Sequence, residues 1–289
     1  MRSRSDRTVI AAVRKHHGLG NRVRVVLGTR SLARSTGRAF RYAWPVNDAF
    51  GARLDELWEI DDATIHPAVS RALTVRYPYR DESLSWLDDA KDDRIWQIRT
   101  AHALHLPAAA TPWDEELRDL RPVAEIRDRV RAFHDQHLAG SAYVGVMIRA
   151  HHVSHDETLK ESPLTWYLDR LRTIHEQRPD LRFFVSADTP EAQQAVHAAI
   201  PGCVSLTDKG AYNSLDGLTS AVVDLYLMAS SAHLLGAHLS SFPELGQRLA
   251  GPALALETSR SDPRSVFDPH GDLTVAPDPT LPHLRTSVR

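Results

Sequence analysis

A short apolar run that ends in an arginine is the first place in this chain where the residue types suggest chemistry. Residues 143–148 read YVGVMI, and Arg149 follows at the head of a polar, histidine-rich stretch without helical spacing. Such a run predicts a buried strand of a parallel sheet, and ligands of open α/β sheets bind beyond the carboxyl ends of the strands. A guanidinium there can donate to two phosphate oxygens at once. The alternative is a structural ion pair.

Further polar side chains stand at comparable positions in the second half of the chain. Asp188 follows the apolar run FFVSA, Ser240 and Ser241 follow another predicted strand, and Asp224 interrupts the apolar helix AVVDLYLMA. A buried carboxylate is costly unless a hydrogen-bond donor meets it, so Asp224 predicts a donor close by. Together these groups suit a nucleotide. The alternatives are a helix cap for Asp188 and a solvent-facing position for Asp224.

Two acidic residues bear on what such a site could do. Glu157 lies in the same predicted loop as Arg149, where a carboxylate beside a phosphate-binding arginine can take a proton from an attacking hydroxyl. On its own it would be a solvated loop residue. Glu244 follows Ser241 at the spacing of a capping box, which predicts a helix start whose backbone N–H groups can bind an anion. The negative charge of Glu244 opposes a phosphate at that point.

A glycine turn stands near the beginning of the chain. Gly18 and Gly20 resemble half of a dinucleotide fingerprint, but Val23 stands where the third glycine belongs, and no acidic residue follows at the expected distance. A nicotinamide site is therefore disfavoured, whereas a close approach of this backbone to a bound diphosphate is still predicted. Asn21 is predicted to cap the helix that follows the turn.

The sequence gives little support to metal or cofactor chemistry. His151, His152 and His155 lack the fixed helical spacing of zinc sites and have no set of carboxylates beside them. The chain has no Asp-X-Asp sequence, no lysine after a glycine loop of the P-loop kind and no serine elbow. Its single cysteine, Cys203, excludes an internal disulfide and a cysteine-based zinc site. We therefore expect no metal and no cofactor.

Composition and charge narrow the class of protein further. The 289 residues carry a formal net charge of −2, with 42% hydrophobic and 25% charged residues, as in ordinary soluble globular proteins. Such a balance provides no basic field to attract nucleic acid or a membrane surface. The N-terminal segment lacks the features of a signal peptide, and no apolar run reaches membrane-spanning length. The expectation is a cytoplasmic enzyme or binding protein without a nucleic-acid partner.

The order of predicted elements shows how these residues would be positioned. Residues 8–44 predict strand, helix and strand, with Gly37 ending the helix, and less regular candidate strands at 72–77 and 95–98 precede helices at 113–120 and 122–138. Beyond Gly140, strands at 142–148, 181–186, 203–206, 233–236 and 253–256 alternate with helices. This alternation predicts an α/β fold with a parallel, doubly wound sheet. The predicted domains are 1–139 and 140–257, followed by a proline-rich tail, 258–289, that wraps the surface or is partly disordered.

Three blocks of the sequence resemble one known protein family in order and spacing. They are HHGLGNRVRVVLGTRSLARSTGR, VGVMIRAHH, and the span from FFVSADTP to AVVDLYLMASSAHLLGAHLSSF. They resemble the glycine-asparagine-arginine turn and helix, the VGVHIRR segment, and the aspartate strand, aspartate helix and serine loop of the GDP-fucose-dependent fucosyltransferases of the α1,6 branch. That branch includes the rhizobial nodulation-factor fucosyltransferases. The last two blocks together are the more specific part of the resemblance.

The resemblance implies a GT-B-like fold of two Rossmann-like domains with parallel sheets, with the nucleotide-sugar site in the C-terminal domain. It assigns to the donor the residues Gly18, Gly20, Asn21, Arg149, Asp188, Asp224, Ser240 and Ser241. The arginine would bind the diphosphate, the aspartates guanine or ribose, and the serines the phosphates. Glu157 falls where the catalytic base of the family sits. The implied reaction inverts the configuration at the anomeric carbon of the sugar and needs no metal.

Two positions depart from the family pattern. Met147 stands where the family often has histidine, and Ala150 stands where it has a second arginine. Loss of that guanidinium removes a charge-assisted contact on the order of 1.5–3 kcal/mol, for which His151 or His152 could compensate. The leading hypothesis is a transferase that moves a sugar, foremost L-fucose, from a GDP-sugar to a glycan or other hydroxyl acceptor. The alternatives are a relative that binds nucleotide or glycan without catalysis, and an oxidoreductase on the same sheet topology.

The acceptor would be shaped by the N-terminal half of the chain. Four tryptophans there are candidates to stack on a sugar ring: Trp58, Trp86, Trp96 and Trp113. The alternative is that these rings belong to the hydrophobic core.

Overall fold

Parallel β-sheet forms the centre of each half of the protein. The structure is a computed structural model that describes residues 7–151, 156–268 and 270–288. Its contacts divide the chain into two units. The first contains the described residues up to Val123 together with Asn213–Leu218, and the second contains Ala124–Tyr212 and the described residues from Thr219 onward. The helix at 124–137 thus groups with the second unit, and the domain boundary predicted after residue 139 stays a prediction.

The first unit is built on a four-stranded sheet in the order β2-β1-β4-β3, with parallel pairing throughout. The strands are β1 Thr8–Ala12, β2 Ala39–Ala43, β3 Tyr79–Arg80 and β4 Ile95–Ile98. The helices are α1 Leu19–Ser35, a 3₁₀ turn Leu54–Glu56, α2 Pro67–Leu73 and α3 Trp113–Arg118. Strand β1 has neighbours on both sides, and all of it after Thr8 is buried, as expected for an inner strand of a parallel sheet.

Some local predictions for the first unit need correction. Helix α1 begins at Leu19 with Gly18 as its N-cap, so Asn21 lies inside the first turn, where its Oδ1 accepts from Nη2 of Arg24. Gly37 takes the left-handed conformation predicted for the end of that helix, with φ 63°. The strand predicted at 72–77 is wrong. A proline at the first position of α2 and a capping His66 side chain start a helix at Pro67 that ends at Leu73, because proline is pre-shaped for a first helical turn, and residues 74–76 form a turn.

The second unit is built on a five-stranded sheet in the order β7-β6-β5-β8-β9, again parallel. The strands are β5 Tyr143–Ile148, β6 Arg182–Ala187, β7 Cys203–Val204, β8 His233–Gly236 and β9 Leu256–Glu257. The helices are α4 Ala124–His137, α5 Asp156–Glu161, α6 Leu164–Gln177, α7 Pro190–Ala199, α8 Leu215–Ala229 and α9 Ser241–Ala250. The predicted alternation is confirmed, and the central strand β5 is buried along its whole length.

Three helix starts differ from the predictions for this part of the chain. Pro122 lies before α4 and forms an isolated bridge with Trp58, so it does not open that helix. Helix α5 occupies part of the loop predicted after β5, with two acids in its first turn and Lys160 in its last, a charge order that favours a helix. Helix α9 has Ser240 as its N-cap, without a side-chain capping bond, and Ser241 is the first helical residue, so the capping box predicted for Ser241 is wrong.

The proline-rich tail is folded back onto the second unit. It contains α10 Pro263–Val266 and an antiparallel pair, β10 Leu273–Val275 and β11 Thr286–Val288. The backbone N–H of Ala276 donates to the carbonyl of Ser230 at 3.1 Å, and Arg285 donates to the carbonyls of Ala229 and Ser231. The described part of the tail therefore wraps the turn between α8 and β8.

Candidate functional site

Arg149 lies where the sequence places it, beyond the carboxyl end of the central strand of the second sheet. Strand β5 has β6 and β8 as parallel neighbours on its two sides. The side chain of Arg149 is 26% exposed, and its Nη1 donates to Oδ2 of Asp188 at 3.2 Å. Within the described residues, Nε and Nη2 of Arg149 have no partner. The ion pair therefore exists, but it leaves most of the guanidinium donors available.

Asp188 fixes the backbone that follows β5. Its Oδ1 accepts from the N–H of Ala150 at 2.7 Å and of His151 at 3.0 Å, while Oδ2 receives Arg149. A carboxylate has about four acceptor sites, so one further donor, such as a ribose hydroxyl, still has room. The helix-cap alternative is wrong, because Thr189 is the N-cap of α7 and its side chain accepts from the backbone.

Asp224 is buried in α8 with 3% exposure, so the solvent-facing alternative is wrong. Its Oδ2 accepts from Oγ of Ser186 at 2.6 Å and from Nζ of Lys209 at 2.7 Å. Its Oδ1 is buried and has no hydrogen-bond partner in the described structure. Such an oxygen costs on the order of 1–3 kcal/mol until a donor reaches it. Ser186 lies on β6, the strand that Asp188 follows, so both aspartates belong to one edge of the sheet.

The sequence reasoning missed two partners of this site. Lys209 lies in the loop after β7, where no periodicity marks it. Ser186 interrupts the apolar run FFVSA, and that interruption was an available signal. Tyr212 was also missed: its ring stacks on His151 with centroids 4.4 Å apart and planes 9° from parallel. His151, one ring of this stacked pair, lies in the loop whose backbone donates to Asp188.

The start of α9 lies beyond the carboxyl end of β8, the neighbour of β5. Ser240 and Ser241 form this start, and the preceding Leu239 has a left-handed φ of 60°. Gly236 permits the tight turn, because a Cβ there would lie 2.4 Å from a side-chain carbon of Pro243. The first-turn N–H groups of such a helix favour an anion. Glu244, whose charge opposes one, lies 3.8 Å from Arg248, an ion pair that partly offsets that charge.

Glu157 stands in the first turn of α5 and is exposed. The residues between His151 and Asp156 lie outside the described structure, and they include His152 and His155. A carboxylate at this position is accessible to a proton-donating hydroxyl. Its assignment as the catalytic base stays a prediction.

The glycine turn of the first unit is held by a buried arginine that sequence reasoning did not single out. Arg22 donates from Nε to the carbonyl of His17 at 2.7 Å, from Nη1 to Pro45 at 2.9 Å and from Nη2 to Lys15 at 2.9 Å. Its guanidinium carbon lies 3.9 Å from the ring centroid of Phe50, and burial lowers the pKa of Arg22 to about 10. The turn is therefore a fixed structure.

Gly18 and Gly20 differ in how much room surrounds them. A Cβ added to Gly18 would meet no atom within 4 Å, and Gly20 is buried in the first turn of α1. The open space at Gly18 is consistent with the predicted close approach of a ligand to this backbone. The donor roles of Gly18, Gly20 and Asn21 stay predictions.

The part of the chain that the structure describes offers no metal centre, no membrane span and no exposed tryptophan among the four candidates. No group of three or more His, Cys, Asp or Glu side chains there could hold a metal ion. No helix of that part of the chain is long and apolar enough to cross a membrane. The four tryptophans considered for sugar stacking are buried, with exposures of 0% for Trp58, 7% for Trp86, 5% for Trp96 and 7% for Trp113. Their burial matches the core alternative.

Comparison with known proteins finds similarity in structure alone. No protein-family model matches the chain, and no curated protein matches it by sequence. A structure of the α1,6-fucosyltransferase NodZ co-crystallised with GDP matches with a TM-score of 0.60 and 18% identity over 84% of this chain and 92% of that one. NodZ from Bradyrhizobium gives the same TM-score and identity.

Two further fucosyltransferase structures share the fold. POFUT1 in complex with GDP matches with a TM-score of 0.58 and 12% identity, over 89% of this chain and 99% of that one. A mutant of FUT1 from Arabidopsis thaliana in complex with GDP matches with a TM-score of 0.58 and 13% identity, over 94% of this chain and 75% of that one. At these identities the similarity establishes the fold, and the predicted GT-B-like class with parallel sheets is confirmed.

Proposed function

We propose that this protein is a glycosyltransferase that moves a sugar, most simply L-fucose, from a GDP-sugar to a glycan or other hydroxyl acceptor. Its fold is shared with NodZ co-crystallised with GDP, with POFUT1 in complex with GDP or GDP-fucose, and with FUT1 in complex with GDP. Fold alone does not define chemistry. The proposal therefore depends on the polar groups at the carboxyl edge of the second sheet.

The observation that carries the proposal is the state of Arg149. Asp188 holds one guanidinium nitrogen and orients the fork, and the remaining donors have no partner among the described residues. A diphosphate offers oxygen pairs that match those donors. The N–H groups at the start of α9, at Ser241, would add a second anion-binding element. Donors that are already oriented stabilise the negative charge that develops on a leaving diphosphate.

The aspartates provide the groups that a guanine nucleoside would need. Guanine presents adjacent N–H donors, and Asp224 has a carboxylate oxygen without a partner in the described structure. That oxygen is covered, so neighbouring side chains would have to shift for a base to reach it. Asp188 retains acceptor capacity for a ribose hydroxyl. We assign Asp224 to guanine and Asp188 chiefly to holding Arg149 and the backbone at Ala150 and His151.

Catalysis in this proposal is inverting and independent of metal. Glu157 takes the proton of an acceptor hydroxyl, and the oxygen attacks the anomeric carbon from the face opposite GDP. The bond to the diphosphate breaks as the new glycosidic bond forms, and the diphosphate carries away the negative charge near Arg149. The reacting partners held in line supply much of the rate enhancement.

A thermal-shift panel tests the donor class. GDP, GDP-fucose, GDP-mannose, UDP-sugars and NAD would be added separately, with and without a chelator. We expect GDP and GDP-fucose to raise the melting temperature, because a ligand that binds the native state stabilises it. UDP-sugars and NAD should have no effect, and the chelator should change nothing. Absence of any shift with guanine nucleotides would contradict the donor assignment.

Replacement of Glu157 by Gln tests the base. Turnover of GDP-fucose should fall about 10²–10⁴-fold, the usual contribution of general base catalysis, whereas GDP affinity should be unchanged. Asp156→Asn is the matched control, since it removes the same charge from the same exposed helical turn. Equal losses of turnover in both variants would show that only the local charge matters. An equal loss of GDP affinity and turnover in Glu157→Gln would indicate a structural role.

A relative that binds nucleotide or glycan without catalysis is the second candidate. Two departures from the family pattern favour it. Met147, which is 4% exposed, stands where the family often has histidine, and Ala150 stands where the family has a second guanidinium. Hydrolysis of GDP-fucose without acceptor separates the two candidates. Slow release of fucose supports the transferase, and tight GDP binding with no release over prolonged incubation supports the binding protein.

A further inference from the structure

A basic cavity opens at the carboxyl edge of the first sheet. It has a volume of about 590 Å³, and its lining includes Arg14, Arg80 and Arg99. Arg14 follows β1, Arg80 ends β3 and Arg99 follows β4, and these are three adjacent strands of the sheet. Ligands of open parallel sheets bind at this edge. The topology therefore collects three guanidinium groups from distant parts of the sequence in one cavity.

Aromatic rings hold two of the three guanidinium groups in place. The Cζ of Arg99 lies 4.6 Å from the ring centroid of Tyr79, and the Cζ of Arg80 lies 5.6 Å from that of Trp86. Trp86 is itself fixed by edge-to-face packing against Trp96, with centroids 5.4 Å apart. A cation–π contact uses the face of the guanidinium and leaves its N–H edges available. The arginines are thus oriented before any ligand arrives.

The positive charge of the cavity is incompletely neutralised. Among the residues that the structure describes, neither Arg14 nor Arg99 has a carboxylate within ion-pair distance, and the contact of Arg80 with Asp93 is 3.8 Å long. Asp81 is the acidic residue of the lining. Three arginines face that one carboxylate. The cavity is therefore suited to a ligand that carries negative charge.

A neighbouring histidine reports the same excess of positive charge. The pKa of His17 is lowered to about 4, first by burial and then by the charges of Arg14, Arg22 and Arg99, among others. The histidine is therefore neutral at physiological pH. It adds no charge of its own, and the field around it comes from arginines.

We propose that this cavity binds the anionic group of an acidic sugar, a carboxylate or a sulfate ester. Its volume falls within the range of roughly 300–1,000 Å³ typical of pockets that enclose ring-sized ligands, which is more space than a single phosphate ion needs. Each free guanidinium edge can bind two oxygens of such a group. Under the proposed transferase function, on which this role rests, the acceptor is an acidic glycan.

Calorimetric titration of the 289-residue protein tests the inference. The probes are a disaccharide ending in glucuronic acid, its neutral counterpart ending in glucose, a sulfated disaccharide and inorganic phosphate. At least one acidic disaccharide should bind about tenfold or more tightly than the neutral one, and more weakly as salt is added. The acidic disaccharide that binds more tightly shows whether the cavity prefers a carboxylate or a sulfate ester. Equal binding of acidic and neutral sugars would overturn the inference, as would phosphate binding as tightly as the sugars.

Matched arginine variants locate the binding site. Arg99→Gln and Arg14→Gln should each weaken the acidic disaccharide about tenfold. Arg41→Gln is the control, because Arg41 is exposed on β2 of the same sheet and does not line the cavity. Unchanged binding in both cavity variants would place the sugar elsewhere and overturn the assignment.

GDP titration of the same preparations separates this inference from the proposed function. Wild-type protein that binds GDP but no acidic sugar contradicts the cavity assignment alone. Protein that binds acidic sugar at the cavity but no GDP contradicts the transferase and leaves the cavity as a sugar-binding site. If both bind, Arg99→Gln should raise KM for an acidic acceptor and leave the hydrolysis of GDP-fucose without acceptor unchanged.

Discussion

Arg149 and Arg22 use their donors in opposite ways, and this difference separates a candidate ligand-binding residue from a structural one. Each of the three nitrogens of Arg22 donates to a backbone carbonyl, and the residue is 0% exposed. Arg149 uses one nitrogen, and its side chain is 26% exposed. A guanidinium with its donors occupied fixes a loop, whereas one that is oriented but largely unoccupied can receive an anion.

Replacement of Arg149 by Ala should weaken GDP binding at least about tenfold, since one charge-assisted hydrogen bond contributes on the order of 1.5–3 kcal/mol. The fold should persist, because Asp188 keeps its two backbone donors at Ala150 and His151. Isothermal titration with GDP measures the effect. Arg172→Ala, at an exposed arginine of α6, should bind GDP like the wild type. Equal affinity in the two variants would remove Arg149 from the donor site.

Replacement of Ala150 by Arg should strengthen GDP binding several-fold. Ala150 is exposed, and its backbone N–H already donates to Asp188, so a longer side chain can be added without disturbing that bond. The new guanidinium would stand beside Arg149, at the position where the fucosyltransferase family that the sequence resembles has its second arginine. Titration with GDP at low and high salt measures the gain, which should shrink with salt because it is electrostatic. Ala150→Gln, of similar length but uncharged, should show no salt-dependent gain.

At the scale of elements, the second sheet could be predicted and part of the first could not. Strands such as β5 are continuous apolar runs between turns, and their regular alternation with helices predicts that they run parallel. The segment after α2 resembles a strand in sequence because TVRY at residues 74–77 has strand-forming residues, whereas Pro67 and the cap at His66 start a helix upstream. The predicted N-cap of α9 is Ser241 and the observed one is Ser240. Sequence does not distinguish them, because serine is a favoured N-cap residue and the two are adjacent.

Three elements, α6, β8 and β9, meet at a buried ionic cluster, and its acid is expected to make stability depend on pH. Glu257 is 1% exposed and binds Arg170 at 2.5 Å and Nε2 of His233 at 2.8 Å. Burial alone would raise the pKa of Glu257, but hydrogen bonds from His233 and Arg170 outweigh burial and lower it. The ionised acid therefore stabilises the fold above the unfolded pKa of Glu, and this contribution is lost as pH falls through the lowered folded pKa.

Glu257→Gln should accordingly destabilise the protein most at neutral pH. Removal of one partner from a buried pair costs roughly 3–5 kcal/mol of the free energy of unfolding. The difference in this free energy between wild type and variant should narrow at acid pH, because protonated Glu257 is then uncharged like the glutamine that replaces it. Urea unfolding across this pH range measures the difference. Glu176→Gln, at an exposed position of α6, should be nearly neutral throughout. A constant gap between wild type and Glu257→Gln at every pH would contradict this linkage.

At the scale of the whole molecule, the strand ends could be predicted but their partners could not. Arg149, Asp188 and Asp224 stand out because each interrupts or ends a local apolar pattern. Lys209 contacts Asp224, and Tyr212 contacts His151. Local sequence periodicity does not predict that these segments meet. The cavity of the first sheet was missed for the same reason, since its arginines are separated along the chain and meet only through strand order.

Hydrogen exchange over the whole chain, measured with and without GDP, provides the broadest test of the donor assignment. Bound GDP should slow exchange in segments 143–151, 183–188 and 239–246, because a ligand raises the free energy of the local openings that expose the contacted backbone. Peptides covering β10 and β11 should be unaffected, since no predicted donor residue lies there. Slower exchange at residues 16–22 would add the glycine turn to the residues that GDP protects. Protection confined to the first unit would contradict a donor site at the carboxyl edge of the second sheet, whatever the affinity for GDP.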